Sequence, residues 1–542
     1  MHAALLFVGT SLSSNGFRRI ASLAREVAPE TKICFVMISN NRSIPGILGL
    51  KPYTPALTTE NIKDIAHAFK QVDILGISCM SLEAEQCKKI VAEIRHINPG
   101  VFVIWGGVHA IIAPEDLIEY ADALCVNEGD MAFPELFRRL LNGENYLNIQ
   151  NFWFRMREGY IVKNSMRPLT TPDELDELPP PLFFGGELIY RPKKGFTEVT
   201  VPDYLHVEGL SYSTVWIRGC PFKCTYCSNN NFLKIDRGFG YLRQPDIDTI
   251  LKEVKTVLER HPYIQAVNFN DDCFMALSEN VLEDFATKWQ KQISLPFAVL
   301  GATPVHVTQK KVEILISGGM YRIRMGIQSG SDRILKQLKR ANRQGLISEK
   351  TAVLAKFAKQ IIPPSYDIIV DFPMETKEDV DQTLRMVYNI PRPFHLNIFS
   401  LRLIPNTELY QQLSQWEMSY IKITDSSYID VVPTFANALL FYIAVFPMPK
   451  FLFEYCLYFT QSIEKSHTRF HWLMVPLKFF FYADRVFSHL KIKDFSLAFG
   501  YVGWRLWQLN ILKKKIFSIL ESLKNYMVVK KHKVTGAMTK SS

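Results

Sequence analysis

The sequence predicts an α/β protein with two successive α/β domains and a helical C-terminal region. Three observations predict this fold. Short apolar runs alternate with helical patterns over residues 1–145, six further βα units follow within residues 206–415, and aromatic-rich helical patterns occupy residues 416–542. The 542 residues are 48% hydrophobic and 21% charged, a composition that is typical of globular proteins and excludes disordered and fibrous classes.

Residues 1–145 are predicted to form a doubly wound domain around a five-stranded parallel sheet. The strands are predicted at residues 4–8, 33–38, 74–78, 101–105 and 123–126. The helices are predicted at residues 17–27, 61–69, 82–96, 114–120 and 133–141. Ligands of such sheets bind beyond the carboxyl ends of the strands, so the segments that follow the strands are candidate binding loops.

Residues 146–205 are rich in turn signals and predict a linker with one small β-element around residues 152–162. Residues 206–415 then predict a partial (β/α)6 barrel rather than a second open sheet. The barrel strands are predicted at residues 214–218, 266–270, 297–300, 322–327, 366–371 and 395–400. Barrel active sites lie at the C-terminal ends of the strands, which makes the loops there the candidate active-site loops.

The loop after the first barrel strand contains the most specific motif of the chain. Cys220, Cys224 and Cys227 form a CxxxCxxC pattern, although the whole chain has only nine cysteines. Three thiolates can bind three irons of a 4Fe-4S cluster and leave the fourth iron without a protein ligand. A structural zinc site is the alternative, and it needs four closed ligands. Neither His206 nor Cys273 continues a zinc-ribbon spacing, which favours the cluster.

This motif in a partial barrel resembles the radical S-adenosylmethionine (SAM) superfamily, in the branch that carries a cobalamin-binding domain. Residues 270–274 (NDDCF) match a strand end of that branch. Three other segments match it with one departure each. They are residues 324–331 (RMGIQSGS) with Gln328 for Glu, residues 366–376 (YDIIVDFPMET) with Asp371 for Gly, and residues 403–410 (LIPNTELY) with Asn406 for Gly. The likeness covers residues 1–415.

The resemblance implies the cofactors and the roles of several residues. Cys220, Cys224 and Cys227 are implied to bind the 4Fe-4S cluster, whose open iron binds SAM and whose electron cleaves SAM to a 5′-deoxyadenosyl radical. The implied SAM-binding candidates are Tyr226, Asp271, Asp272, Gln328, Ser329 and Arg340. For Ser329 the alternative is a helix N-terminus that needs a cap. Cys273 is expected to be a buried packing residue.

The first domain resembles the Rossmann-like or flavodoxin-like cobalamin-binding domain of the same branch. Residues 106–109 (GGVH) and 127–130 (NEGD) resemble its loop motifs, and the implied cobalamin-binding residues are Ser78, Ser81, Gly106, Gly107, Glu128 and Gly129. No DxHxxG motif is present, so no axial histidine is assigned. His109 is expected to hydrogen-bond or pack rather than bind metal. The alternative is a flavodoxin-like domain that has lost its ligand.

The net charge of +10 is concentrated near the C-terminus. Residues 481–542 contain twelve Lys or Arg and three acidic residues among many aromatic ones, a pattern that indicates docking on an anionic membrane surface. A solvated basic tail and an RNA contact are the alternatives. The rest of the chain is nearly neutral, so a nucleic-acid partner is not expected. No secretory signal or spanning run is visible, which predicts a cytoplasmic protein with peripheral membrane association.

The resemblance implies a radical SAM methyltransferase that uses cobalamin to methylate an unactivated carbon. The apolar C-terminal region points to an apolar substrate such as a lipid or isoprenoid, and flavodoxin or ferredoxin is the expected electron donor. The alternatives are a cobalamin-dependent radical cyclase that transfers no methyl group and a noncatalytic cobalamin or iron–sulfur sensor. The methylthiotransferase branch is set aside, because Cys34, Cys87 and Cys125 fall inside predicted strands and a helix.

Overall fold

A computed structural model describes residues 1–38, 57–183, 185–413, 431–462 and 469–491 of the chain, with a few isolated positions besides. These residues form two β-sheets with helices on their faces, followed by a helical C-terminal region. The predicted fold class is therefore confirmed. Most of the predicted basic segment 481–542 lies outside the described residues.

The N-terminal sheet has nine strands, and its centre is the predicted doubly wound sheet. The strands are β1 (Ala3–Gly9), β2 (Lys32–Met37), β3 (Ile74–Cys79), β4 (Phe102–Gly106), β5 (Ala123–Cys125), β6 (Phe152–Arg155), β7 (Ile161–Lys163), β8 (Glu187–Arg191) and β9 (Gly195–Glu198). Their order is β7-β6-β5-β4-β3-β1-β2-β8-β9. Strands β2-β1-β3-β4-β5 are mutually parallel, and the order reverses direction between β1 and β3. A sheet of this order binds ligands at that switch point.

The stretch predicted as a linker differs from the expectation, because it extends the N-terminal sheet at both edges. Strands β6 and β7 form the predicted β-element and continue the sheet antiparallel from β5. Strands β8 and β9 were not predicted, and β8 pairs parallel with β2. Glu187 at the start of β8 is buried and pairs with the buried Arg18 at 2.9 Å. This buried charge interrupts the apolar pattern by which a strand is predicted.

Side chains of β1 alternate between the two faces of the sheet, as expected for a strand that is covered on both sides. Leu5 and Phe7 join the apolar cluster on one face, and Leu6 and Val8 join the cluster on the other. The helices that cover the faces are Asn15–Val27, Thr59–His67, Ala84–Ile97, Val108–Ile112, Pro114–Leu117 and Ala132–Asn142, and two short helices, Pro172–Glu177 and Val201–Val207, follow.

The second sheet is a six-stranded parallel partial barrel, as predicted. Its strands follow one another in chain order: β10 (Ser211–Thr214), β11 (Ala266–Phe269), β12 (Phe297–Ala302), β13 (Met320–Gln328), β14 (Ser365–Val370) and β15 (His395–Ser400). The connecting helices include Ser228–Ile235, Ile247–Arg260, Glu279–Gln292, Gln309–Ser317, Asp332–Gln337, Gln344–Ala355, Lys377–Tyr388 and Glu408–Leu413.

The first barrel strand lies earlier in the chain than predicted. We expected residues 214–218, but β10 ends at Thr214. The backbone N–H groups of Trp216 and Ile217 donate to the Asp271 carboxylate instead of to a neighbouring strand. Residues 215–219 therefore form a loop that is shaped by this one carboxylate.

The C-terminal region is helical, as predicted, and packs on the barrel. Its described helices are Phe435–Val445, Lys450–Leu457 and His471–Lys491. The Asn437 amide donates to the Asp371 carboxylate at 2.8 Å, and the Arg485 guanidinium donates to Asn397 Oδ1 at 2.7 Å. None of the helices in the described ranges is both long and apolar enough to span a bilayer.

Candidate functional site

The three cysteines of the predicted cluster motif lie in the loop beyond the carboxyl end of β10. All three are free thiols; Cys220 and Cys224 are buried and Cys227 is partly buried. The loop is fixed by backbone hydrogen bonds from Cys220 N to Phe239 O at 2.9 Å and from Thr225 N to Leu338 O at 3.1 Å. Three thiols in one fixed loop are the donor set that a 4Fe-4S cluster with one open iron requires.

Gly219 sets the shape of this loop immediately before the first cysteine. Its φ is +98°, a left-handed conformation that favours glycine. A Cβ atom there would lie 2.1 Å from the carbonyl oxygen of Tyr241. No other residue type fits this backbone without moving the neighbouring strand-like segment.

The surroundings lower the pKa of the Cys220 thiol, chiefly through its hydrogen bond with Cys273, but they raise the pKa of the Cys227 thiol. Burial raises the pKa of Cys227 to about 12, so cluster assembly has to displace its proton. Among the described residues, no three His, Cys, Asp or Glu side chains are grouped as a single metal ion would need. A 4Fe-4S cluster sets a different requirement, because each thiolate binds a separate iron.

Arg340 and Cys273 both contact the cysteine motif. The Arg340 guanidinium donates to Gly326 O at 2.7 Å and to Cys224 Sγ at 3.5 Å, so it joins strand β13 to the cysteine loop. Cys273 is buried with its Sγ atom 3.4 Å from Cys220 Sγ. Arg340 was a predicted SAM-binding residue, and the structure places it beside Cys224 of the cysteine motif.

Asp271 and Asp272, two other SAM-binding candidates, also lie against the cysteine loop. Asp271 Oδ1 accepts from Trp216 N at 2.8 Å, whereas Asp271 Oδ2 is buried without a hydrogen-bond partner in the described chain. Burial raises the pKa of Asp271 to about 7. Asp272 is exposed and accepts from the Asn229 amide at 2.9 Å. An unpartnered buried carboxylate oxygen is available to a ligand, so the SAM-binding role of Asp271 stays a prediction.

Gln328, Ser329 and Tyr226 are the remaining SAM-binding candidates. Gln328 ends β13 with a φ of +74°. Ser329 is buried, and its hydroxyl accepts from Ser331 N at 3.1 Å, next to Ser331, which caps helix Asp332–Gln337. The structure thus gives Ser329 the packing and capping surroundings that were its alternative role. Tyr226 packs against a small apolar cluster around Leu401.

A cavity of about 460 Å³ lies between the N-terminal sheet and the barrel. It opens at the switch point, where β1, β3 and β4 contribute Phe7, Ile77 and Ile104. The predicted cobalamin-binding residues Ser78, Gly106, Gly107, Glu128 and Gly129 all line it. Its opposite wall comes from the barrel and includes Thr214, Trp216 and Arg218, the residues that lead into the cysteine loop.

The walls of this cavity suit a large ligand with an apolar body and a polar rim. Gly107 has a φ of +94°, and a Cβ atom there would lie 2.7 Å from Ser78 Oγ. The cavity-lining residues Asn15 and Asn127 each have a buried amide atom, Oδ1 and Nδ2 respectively, without a hydrogen-bond partner in the described chain. Unpartnered buried polar atoms indicate a bound polar group. Cobalamin, with an apolar ring face and peripheral amides, fits these walls.

Glu128 lines the cavity, but its carboxylate already forms an ion pair and a hydrogen bond with residues outside the N-terminal domain. It pairs with Arg243 at 2.9 Å and accepts from Thr170 N at 2.8 Å. Two residues further on, Asp130 accepts from both terminal nitrogens of Arg218, at 2.6 and 2.9 Å. Burial opposes ionisation of Asp130, but the Arg218 charge outweighs burial and holds the pKa of Asp130 below its ordinary value.

Sequence reasoning missed this interdomain ion network of Glu128, Asp130, Arg218 and Arg243. A signal was present, because an acidic pair occurs in the 127–130 motif and Arg218 directly precedes Gly219 of the cysteine loop. Complementary charges beside two separate motifs indicate that the motifs meet. The pattern does not tell which acid pairs with which arginine.

His109 has the hydrogen-bonding role that we expected. Its Nδ1 lies 3.0 Å from Ser81 Oγ, and its Nε2 lies 2.9 Å from the Asp116 carboxylate. Both ring nitrogens are therefore occupied, which leaves none for cobalt. Ser81 was a predicted cobalamin-binding residue, but the structure places it against His109 and not among the cavity residues.

Comparisons with known proteins agree with both halves of the site. The family described as "B12 binding domain" matches residues 8–137, and the "Radical SAM superfamily" matches residues 214–387. A solved structure of the cobalamin-dependent SAM radical enzyme OxsB, with aqua-cobalamin and SAM bound, shares the fold with a TM-score of 0.58. It is 12% identical and covers 94% of this chain and 84% of that chain.

Three curated relatives are similar at the sequence level. The uncharacterized methyltransferase PH0819 of Pyrococcus horikoshii is 26% identical over 59% of this chain and 66% of its own length. A cytidylyl-2-hydroxyethylphosphonate methyltransferase of Streptomyces wedmorensis is 24% identical over 55% and 58%, respectively. An anaerobic magnesium-protoporphyrin IX monomethyl ester cyclase of Rubrivivax gelatinosus is 19% identical over 63% and 58%. The chain thus spans less than two thirds of the length of these relatives.

The two family matches fall on the two walls of one cavity. The B12 binding match contains the glycine loops, and the radical SAM match contains the cysteine loop and β11 to β14. The cavity and the thiols also fit the cofactors that these families use. The chain therefore belongs to the radical SAM enzymes that carry a B12 binding domain, with a 4Fe-4S cluster, SAM and cobalamin as its cofactors.

Proposed function

We propose that this chain is a cobalamin-dependent radical SAM methyltransferase that methylates an unactivated carbon. One observation carries the proposal: Arg218 lines the glycine-walled cavity and lies two residues before Cys220. Cofactors held at these two places would share one reaction space. When bound, they supply one-electron chemistry and a transferable methyl group. The methyltransferase relatives support this reaction type.

The protein's own residues hold and shield that reaction space. The three cysteines are positioned as cluster ligands, and the Arg340 guanidinium stabilises negative charge beside Cys224. Gly107 has no side chain to collide with Ser78, so the loop after β4 packs closely against the end of β3 in the cavity wall. Apolar side chains such as Phe7, Ile104 and Trp216 exclude water from the cavity. Exclusion of water protects a reactive radical from side reactions.

The substrate class is a further part of this proposal. The apolar C-terminal region supports an apolar substrate. The barrel interior also contains charged and polar side chains, which favour a substrate that carries a polar group as well. On β13, Arg324 alternates with the core residues Ile323 and Met325, and its guanidinium pairs with Asp367 at 2.7 Å. The Asn397 amide donates to the same carboxylate at 2.6 Å. We therefore propose an amphiphilic substrate, such as a lipid or isoprenoid with a polar group, and a flavodoxin or ferredoxin as electron donor.

Anaerobic reconstitution tests the reaction. The full chain is loaded with iron, sulfide and cobalamin and then reduced in the presence of SAM and lipid extracts, and 5′-deoxyadenosine and S-adenosylhomocysteine are measured. We expect both products together with a methylated lipid. The C220A variant should form neither product, whereas the C456A variant, which changes a free cysteine on the C-terminal region, should behave as the parent.

A radical cyclase is the second candidate, because the similar Rubrivivax protein is named as a cyclase. Deoxyadenosine without S-adenosylhomocysteine would favour this candidate. Absence of deoxyadenosine from the reduced, cluster-loaded protein would contradict both enzymatic candidates and support a sensor.

A further inference from the structure

The C-terminal region presents an unusual amount of exposed apolar surface. Large exposed hydrophobic side chains are scattered over the two α/β domains, but they are concentrated in helices Lys450–Leu457 and His471–Lys491. Single exposed apolar residues are normal on protein surfaces, whereas a concentrated set marks a surface that binds something.

Helix Lys450–Leu457 has two apolar faces. Phe453 and Leu457 are buried against the barrel, and Phe453 stacks on Tyr388 with ring centroids 4.1 Å apart. On the opposite face, Phe451 is 78% exposed, and Tyr455 and Tyr458 follow at helical spacing, Tyr458 being 83% exposed. The inner face accounts for the packing on the barrel. On the outer face, Tyr455 and Tyr458 have ring contacts with Phe459, which is itself exposed.

Helix His471–Lys491 repeats this arrangement. Met474, Leu477 and Phe481 are buried on its inner face. On its outer face Trp472 is 72% exposed, and Phe479, at a spacing of two helical turns, is also exposed. Both helices therefore carry large aromatic side chains on faces that point away from the core.

Both helices are fixed to the barrel by ion pairs and hydrogen bonds. Arg385 forms a two-pronged ion pair with Glu454, at 2.6 and 2.8 Å, and Lys377 Nζ donates to Leu457 O at 2.8 Å. The second helix is held by Arg485, which donates to Asn397 Oδ1 at 2.7 Å. Because the inner faces are fixed, the aromatic stripes are presented without a further cost of ordering the helices.

The charge of the following segment identifies the partner. Helix His471–Lys491 ends in lysine, and residues 492–542 carry ten Lys or Arg and two acidic residues. This excess of +8 begins where the aromatic helix ends. Exposed aromatic residues prefer the interface between headgroups and acyl chains, and lysine and arginine are attracted to anionic headgroups. Neither described helix could cross a bilayer, which fits a protein that lies on one.

We propose that helices Lys450–Leu457 and His471–Lys491 dock this protein on a bilayer that contains anionic lipid. Their outer aromatic stripes enter the headgroup region, and the positive charge of residues 492–542 is attracted to the anionic headgroups. The occupant of the surface is the bilayer itself. This inference does not depend on the proposed methyl transfer, because docking can be measured without turnover.

Vesicle flotation of the full chain tests the proposal, using phosphatidylcholine vesicles with and without phosphatidylglycerol. We expect flotation with the anionic vesicles and a weaker effect at high salt, which screens the basic segment. A variant with F451S, Y455S, W472S and F479S should partition at least about tenfold less. The matched control carries Y160S and M166S, which change exposed apolar residues of the N-terminal domain, and should partition like the parent.

A second variant tests the charge. Substitution of Lys513, Lys514 and Lys515 by Gln should weaken flotation with anionic vesicles by about tenfold or more and leave the weak binding to neutral vesicles unchanged. Equal flotation of the parent and the four-residue aromatic variant would overturn the proposal. So would a parent dimer that the aromatic substitutions convert to a monomer while no vesicles are bound, because the stripes would then be a subunit interface.

Discussion

At the scale of residues, two departures from the family pattern acquire a structural reason. Asp371 and Asn406 stand where the family has glycine, and their φ values are +66° and +61°. Asp and Asn are the non-glycine residues that best tolerate this left-handed region. Each also uses its side chain at long range: Asp371 accepts from Val432 N at 3.1 Å, and the Asn406 amide donates to Ile112 O at 2.8 Å. Each substitution therefore keeps the left-handed turn and adds a long-range hydrogen bond.

Substitutions of Asp371 can separate the contribution of the left-handed turn from that of the side-chain hydrogen bonds. D371G should keep the left-handed backbone but remove the carboxylate that accepts from the buried Asn437 amide and from Val432 N, which costs about 1–3 kcal/mol. D371A should lose the same contacts and add about 1 kcal/mol of backbone strain. Thermal unfolding and amide exchange over helix Phe435–Val445 measure both effects. Equal stability of the two variants would show that the backbone conformation carries no cost.

Gly16 offers a test of the cavity that leaves packing intact. It lines the cavity, and a Cβ atom there would meet nothing within 4 Å. G16L should therefore fill ligand space and weaken cobalamin binding at least about tenfold without loss of stability. The control is G345L, which changes the equivalent second residue of helix Gln344–Ala355, also with nothing within 4 Å. Spectroscopic titration with hydroxocobalamin gives both affinities, and similar values would contradict the assignment of the cavity.

At the scale of elements, the local hydrophobic pattern predicted the strands whose positions depend on neighbouring residues in the chain. The alternating or continuous apolar runs of β1 to β5 and of β11 to β15 predicted those strands with small shifts at their ends. Strand β8 escaped prediction because Glu187 is stabilised by Arg18, a residue far away in the chain. The early end of β10 likewise depends on Asp271, which belongs to another βα unit. Partners of this kind are invisible to a local pattern.

The packing of helix His471–Lys491 on the barrel should depend on pH. Burial, followed by the nearby charge of Arg485, lowers the pKa of His395 to about 3, and His395 Nε2 lies 3.2 Å from Ser488 Oγ. In an opened state the imidazole takes up a proton near its ordinary pKa of about 6.5. Acidification from about pH 6.5 downwards therefore favours opening, and the packing is fully retained above that pH.

Amide exchange of residues 471–491 at about pH 5 and about pH 7.5, corrected for intrinsic rates, measures this opening. We expect lower protection at the acidic pH. The variant H395Q keeps a hydrogen-bonding side chain but cannot titrate, so its protection should change much less. An equal change in both proteins would assign the effect to another group.

At the scale of the whole molecule, the two domains are joined by buried charges. The Glu128–Arg243 pair crosses the interface with both side chains nearly buried, at 12% and 11% exposure. Loss of one partner leaves the other charge buried and unpaired, which is the costly case. The family resemblance predicted two domains and their cofactor motifs, but not the residues that join them, because these pairs form only in the assembled fold.

A double-mutant cycle measures this junction. R243M alone should destabilise the protein by about 3 kcal/mol, since the Glu128 carboxylate stays in place with less compensation. Adding E128Q removes the charge but keeps an acceptor for Thr170 N, so part of the loss should be recovered. Thermal unfolding of the four proteins gives the coupling energy. Additive losses would show that the two side chains act independently.

Arg218 connects the two cofactor compartments in a way that bears on how the enzyme matures. Its guanidinium is clamped by Asp130 of the first domain, and its backbone leads into Cys220 of the second. A corrin that stabilises the first loop would therefore also stabilise the loop that receives iron and sulfide, and linkage makes this benefit mutual. Protein made by cells starved of corrin should retain less iron than protein made by supplemented cells. The R218M substitution, which breaks the clamp, should make the iron content independent of the corrin supply.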